Sequence, residues 1–117
     1  MTKRFNNILL TGASGQLGRA ILSSGIFKNI LTPSRNELNI TDRESVNKFF
    51  HRNSFLAVIH TAAMARMAKC EKDPLLAIKT NVLGTANLVE AVLDRGNVLK
   101  KAIRFLHIST DGVYSSQ

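Results

Sequence analysis

Gly12-Ala13-Ser14-Gly15-Gln16-Leu17-Gly18 follows the apolar run Ile8-Leu9-Leu10 with only Thr11 between them, and this junction decides how the chain is read. A strand that opens into a glycine turn and then a helix is how a doubly wound α/β domain receives the pyrophosphate of a dinucleotide. Gly12 permits the sharp turn out of the strand, Gly15 removes a Cβ where phosphate must approach the backbone, and Gly18 lets the first helix pack closely on the sheet. The helix that begins near Gln16 turns unpaired N–H groups and the positive end of its dipole toward that spot. Three glycines at this spacing also suit a plain tight turn. The setting favours the ligand reading, because a strand precedes them and the apolar residues Leu17, Ala20, Ile21 and Leu22 follow. No Gly-Lys-Ser/Thr closes the run, so it is not the loop of a nucleoside triphosphatase.

Outward from this junction, the pattern predicts a first strand over 5–11 and a helix over 16–24 closed by Gly25. A second strand is expected over 28–33, ending near Pro33. Thr41-Asp42-Arg43-Glu44 has the form of a capping box with Thr41 as N-cap, ahead of the helical spacing Val46, Phe49, Phe50. Phe55-Leu56-Ala57-Val58-Ile59 predicts a buried third strand, followed by the small residues Thr61, Ala62 and Ala63. The longest periodic segment runs from Asp73-Pro74 to Gly96, with Leu75, Ile78, Val82, Leu83, Ala86, Val89 and Val92 as its expected core face. Residues 103–109 predict the fourth strand.

Alternating strands and helices imply an α/β fold: a partial Rossmann fold with a parallel sheet of about four strands and helices on both faces. Right-handed crossovers favour the strand order 3-2-1-4, with the ligand crevice at the carboxyl ends of strands 1 and 4. Strand 4 would then be an apolar strand at an edge, and the chain reads as unfinished after Gln117.

At 117 residues and 44% apolar content the chain is one globular domain at most. Sixteen Lys and Arg against eight Asp and Glu leave +8, which suits an anionic partner such as a phosphorylated cofactor. Nucleic acid is disfavoured, because no recognition helix, zinc finger or aromatic-basic strand motif accompanies the charge. Cys70 is the only cysteine, which excludes a disulfide framework and makes a reducing cytoplasm the expected compartment. The start Met-Thr-Lys-Arg-Phe-Asn-Asn indicates neither a secretory signal nor a membrane span.

Several longer stretches now carry a resemblance: TGASGQLG at 11–18, ELNITD at 37–42, HTAA at 60–63, CEKDPLLAIKTNVLGTANLVEA at 70–91 and HISTDGVYSS at 107–116. Together they resemble the extended short-chain dehydrogenase/reductase family, whose members act mainly on nucleotide-linked sugars as epimerases, dehydratases and reductases. The 35–42 region and Ser109-Thr110-Asp111 look most like the dTDP-4-dehydrorhamnose reductase-like members. The resemblance implies that residues 1–117 are the N-terminal part of an NAD(P)-binding Rossmann domain. It implies that Gly12, Ala13, Ser14, Gly15, Gln16 and Leu17 surround the pyrophosphate, while Asn39 and Ile40 border the adenine, with Asn39 departing from the family's commoner aspartate. Ala62, Ala63 and Met64 would line the path from ribose to nicotinamide, and Asn81 would lie near the cofactor. Thr110 matches the residue that hydrogen-bonds the substrate oxygen during hydride transfer; the competing reading of Thr110-Asp111 is a polar strand end making a local turn.

An NAD-specific site wants a carboxylate at the end of strand 2, whereas a 2′-phosphate wants cationic and hydroxyl donors. The strand here ends in Thr32-Pro33-Ser34-Arg35 without an acid, so Ser34 and Arg35 favour NADP over NAD, unless Arg35 is only a solvated charge. Gly112 stands where the family's dehydratases carry a glutamate after their Thr-Asp pair, which leaves hydride-transfer reduction or epimerisation. The family's Tyr-x-x-x-Lys, which moves the proton at the substrate oxygen, is not within these residues, since Tyr114 is the only tyrosine and matches a different aromatic position. The chain alone is therefore expected to be inactive, the binding portion of a sugar-nucleotide reductase or epimerase. A non-catalytic cofactor-binding module that pairs with itself or another chain through strand 4 is the alternative.

The remaining polar residues read as structural. His60 and His107 are expected as hydrogen-bonded core or crevice residues rather than metal ligands, and Phe49, Phe50 and Phe55 as core. Arg66, Lys69 and Lys72 could touch phosphate or lie on a solvated helix face.

Overall fold

The computed structural model describes residues 7–61 and 74–108, with the side chains of Ala77, Ile78 and Thr80 left aside. The expectations for Ala62, Ala63, Met64, Arg66, Lys69, Cys70, Lys72, Thr110, Asp111 and Tyr114 lie outside these residues. Strand β1 (Ile8–Thr11) leads into helix α1 (Gln16–Ser24), then strand β2 (Ile30–Leu31), helix α2 (Arg43–Arg52) and strand β3 (Ala57–His60). Helix α3 (Pro74–Ile78) continues through a π-helical turn (Lys79–Gly84) into helix α4 (Thr85–Leu99), and β4 (Arg104–His107) follows.

The four strands form one parallel sheet, as the alternating pattern predicts. Its order is β2-β1-β3-β4, not the expected 3-2-1-4. The reason lies in which side of the sheet each helix covers. A right-handed crossover moving one way along a sheet puts its helix on one face, and a crossover moving back puts its helix on the other. Ile8, Leu10 and Ile59 pack with Ile21 and Phe27 from α1 and its exit, while Leu9 and Val58 pack with Val46 and Phe50 of α2 and with Leu88, Ala91 and Val92 of α4. With α1 and α2 on opposite faces, the chain must return across β1 after β2. β3 then pairs along all four residues of β1, from Ile8 with Ala57 to Thr11 with His60, whereas β2 offers β1 only Ile30 and Leu31. The point of reversal lies between β1 and β3. The switch point at which such a sheet takes a ligand is therefore the carboxyl ends of those two strands, not of β1 and β4.

Local departures from the pattern have physical causes as well. Helix α2 is capped by Asp42, whose side chain accepts from the Glu44 N–H at 3.0 Å, rather than by Thr41. Thr41 is held elsewhere, its hydroxyl donating to Asn39 Oδ1 at 2.8 Å. The long helical segment does not keep one phase, because the π-helical turn spends extra residues and rotates everything after it. Leu75 (67% exposed), ahead of the turn, and Val82 (64%), within it, face outward, as does Val89 after it, and the buried face of α4 is Asn87, Leu88, Ala91 and Val92. Gly96 does not end the helix; α4 runs on to Leu99 and stops at Lys100 in the left-handed conformation. Gly96 instead admits the returning chain, since a Cβ there would stand 3.1 Å from the Lys101 carbonyl oxygen. Phe50 and Phe55 are buried edge-to-face with centroids 4.8 Å apart, with Phe49 half-buried beside them, so these rings belong to the core as expected.

Candidate functional site

The glycine turn leaves β1 at the carboxyl edge of the sheet. Gly12 has φ 76°, a left-handed conformation that favours glycine, and its carbonyl accepts from the Gly15 N–H at 3.0 Å to close the turn. Gly18 lies in the first turn of α1 directly over Gly12: a methyl there would collide with the Gly12 carbonyl oxygen and lie 2.7 Å from the Ala13 Cα. Ser14, Gly15, Gln16 and Leu17 are exposed. Gly15 is the N-cap of α1 and supplies no side-chain cap, so the amides of the first helical turn face outward without one. No acidic residue stands in that turn to neutralise the dipole.

Beneath the turn, the ends of β1 and β3 are joined by a buried polar chain. His60 is fully buried, with Nδ1 2.7 Å from Thr11 Oγ1 and Nε2 2.9 Å from Thr85 Oγ1 at the start of α4. One ring nitrogen donates and the other accepts, so a neutral imidazole satisfies both contacts. Thr61 completes the tie, its N–H donating to Thr11 Oγ1 at 3.0 Å and its hydroxyl to the Thr11 carbonyl at 2.6 Å. Burial, and the His107 ring stacked 5.2 Å away, push the His60 pKa down from 6.5 to about 4. His60 is thus the hydrogen-bonded core residue that the sequence suggests, and among the described residues no group of three metal-ligating side chains occurs.

Ser34 and Arg35 follow β2, the strand next to β1, and so emerge on the same edge of the sheet as the glycine turn. Arg35 is exposed. Ser34 is tied into a reciprocal turn: its N–H donates to Glu37 Oε1 at 2.7 Å and its Oγ accepts from the Glu37 N–H at 3.3 Å. An acid absent from the strand end in sequence is therefore returned to it by the turn. Asn39 is exposed with Oδ1 occupied by Thr41, and Ile40 is buried against Gly84. Asn81 lies half-buried in the π-helical turn. Sequence reasoning missed Thr85, Asn87 and Glu37. The first two are polar residues in the helical segment that reads as amphipathic, and a polar side chain at a core-facing position of α4 is the signal that would have found Asn87.

A family model described as the RmlD substrate binding domain matches residues 6–117. The chain belongs to this family. It is 33% identical over 116 residues to a dTDP-4-keto-6-deoxy-D-glucose reductase of Streptomyces niveus, covering 97% of the chain and 37% of that protein. A dTDP-4-dehydrorhamnose reductase of Bacillus anthracis, solved in complex with NADP, matches at 26% identity and TM-score 0.74 over 95% of the chain and 38% of its own. A UDP-glucose 4-epimerase of Thermus thermophilus, solved in complex with NAD, matches at 27% identity and TM-score 0.62 over 77% of the chain and 34% of its own. The chain thus spans little more than a third of the length of these relatives. It is a Rossmann module of the sugar-nucleotide reductase and epimerase group. Among the described residues no helix is long and apolar enough to cross a membrane.

Proposed function

We propose that residues 1–117 are the N-terminal part of the dinucleotide-binding domain of a sugar-nucleotide reductase, with NADP(H) as the preferred cofactor. The observation that carries this reading is Gly15. Gly12 is required by its backbone and Gly18 by packing, but Gly15 has φ −79°, and a Cβ on it would meet nothing closer than the Gly12 carbonyl oxygen at 3.4 Å. The fold itself does not demand glycine there. A phosphate drawn against the exposed amides at the start of α1 does.

In this reading the turn from Gly12 to Leu17, with Ala13 and Ser14 at its tip, holds the pyrophosphate, and Ser34 and Arg35 hold a ribose 2′-phosphate. Asn39 and Ile40 border the adenine; Ala62, Ala63, Met64 and Asn81 follow the cofactor toward the nicotinamide. A nicotinamide bound there would supply the hydride. Thr110 donates a hydrogen bond to the substrate oxygen that gains negative character as the carbonyl is reduced. The sugar nucleotide and the proton donor belong to the longer protein. Epimerisation through the same cofactor is the alternative outcome for that protein. The β4 edge, opposite β2, is where a further strand of this or another chain would add.

Calorimetric titration of the chain with NADPH and NADH tests the reading. Tighter binding of NADPH is expected, with the preference lost in Arg35→Ala. Absence of binding by both would refute the cofactor reading, and tighter binding of NADH would refute the preference and point to the Glu37 carboxylate.

A further inference from the structure

The first turn of α4 touches both parts of the candidate site at once. Thr85 meets His60, and through it the end of β1 that carries the glycine turn. Two residues on, Asn87 is buried and its Nδ2 donates to the Ile40 carbonyl at 2.9 Å, across 47 positions of sequence. Gly84 lets the helix approach: a Cβ there would lie 2.7 Å from Ile40 Cδ1. Ile40 sits at the end of the loop that leaves β2, and from Glu37 to Asp42 that loop has no strand partner. Its own bonds are short-range, from the Asn39 N–H to Ser45 Oγ and from the Asp42 N–H to the Asn39 carbonyl. The bond from Asn87 ties the loop to α4, beside the burial of Leu38 and Ile40 in the core cluster that holds Leu9 and Val58 of the sheet.

We infer that Asn87 is a positioning residue for the dinucleotide: it sets the distance between the 37–42 loop and the glycine turn, the two places an extended ligand laid from α1 across β1 and β2 must touch together. The inference rests on the cofactor reading above. An asparagine suits the task because a single buried amide N–H satisfies the carbonyl of Ile40, a loop residue that belongs to the buried core cluster. Asn87 itself makes no contact with the ligand in this account.

Asn87→Leu keeps the volume and removes the donor. Two measurements on the ¹⁵N-labelled 117-residue chain separate the possibilities. Amide exchange without ligand should accelerate in the 37–42 loop of the variant while the amides of β1 and β3 keep their protection. Uniform acceleration, or none, would overturn the positioning role. Titration with NADPH should shift the amides of both the glycine turn and the loop in the unmodified chain. In Asn87→Leu the turn should still respond, with the dissociation constant raised about tenfold, and the loop response should be lost. An unchanged dissociation constant would overturn the inference and leave the cofactor reading standing. An unmodified chain that responds to neither NADPH nor NADH would overturn the cofactor reading, with the exchange result still deciding whether Asn87 pins the loop. Should Asn87→Leu fail to fold, Asn87→Ala, which leaves room for water at the Ile40 carbonyl, is read by the same outcomes.

Discussion

Replacing His60 by glutamine, which does not titrate, should abolish a specific acid sensitivity of the fold. The folded protein holds the ring near a pKa of about 4 by burial and by His107, while an exposed histidine in the unfolded chain titrates at 6.5. Between these values the unfolded state binds more protons, so stability is complete above about 6.5 and falls as the pH drops toward 4. The linkage relation gives a loss of roughly 0.2 kcal/mol at pH 7, roughly 2 kcal/mol at pH 5, and about 3 kcal/mol once both states are protonated. Against a domain stability on the order of 5–15 kcal/mol this is a large fraction. Urea unfolding of the chain and of His60→Gln at pH 7 and pH 5 reads it directly. At pH 7 the variant should be weaker by about 1 kcal/mol for a lost buried hydrogen bond. At pH 5 that order should reverse, because only the unmodified chain has to keep a histidine neutral. A gap that stays constant between the two pH values would refute the argument.

Other substitutions divide the glycines and the caps. Gly18→Ala should destabilise by roughly 2–3 kcal/mol in thermal unfolding, since the added methyl meets backbone atoms that cannot yield. Gly15→Ala should leave stability within about 0.5 kcal/mol yet weaken NADPH binding at least tenfold; equal losses in both measurements would contradict the ligand role of Gly15. Asp42→Ala should cost about 1 kcal/mol of stability as the loss of an N-cap, and Thr41→Ala distinctly less.

Much of the fold is legible because it is local. The β1 strand, the glycine spacing and α1 up to Gly25 follow from neighbouring residues, and the structure reproduces that helix at both ends. Strand order was not legible: Val46 and Phe50 announce that α2 has an apolar face but not which side of the sheet receives it. The π-helical turn hid itself for a related reason, since a periodicity of 3.6 laid across residues 74–95 looks continuous even where the helix slips phase. Asp42 and Thr41 are adjacent cap formers, and only the bond between Thr41 and Asn39 chooses between them. For the site, motif and loop chemistry placed Gly12–Leu17 and Ser34-Arg35, which do emerge on one edge of the sheet. The ties that organise that edge, Thr11 to His60 to Thr85 and Asn87 to Ile40, join residues far apart in the chain, and no local pattern encodes them.

The return of the chain across β1 also constrains the time course of folding. β1 and β2 register with 22 positions between partners, but they exchange only two residue pairs, whereas the four-residue ladder of β1 with β3 spans 49 positions. The entropy of closing a loop about twice as long adds only about 0.6 kcal/mol, so the longer closure wins on contacts once β3 exists. During synthesis, which runs from the amino end, the most apolar strand of the sheet must therefore wait for nearly fifty further residues before its main partner emerges. Until then the glycine turn has a helix to introduce but only the two residue pairs with β2 to stand on.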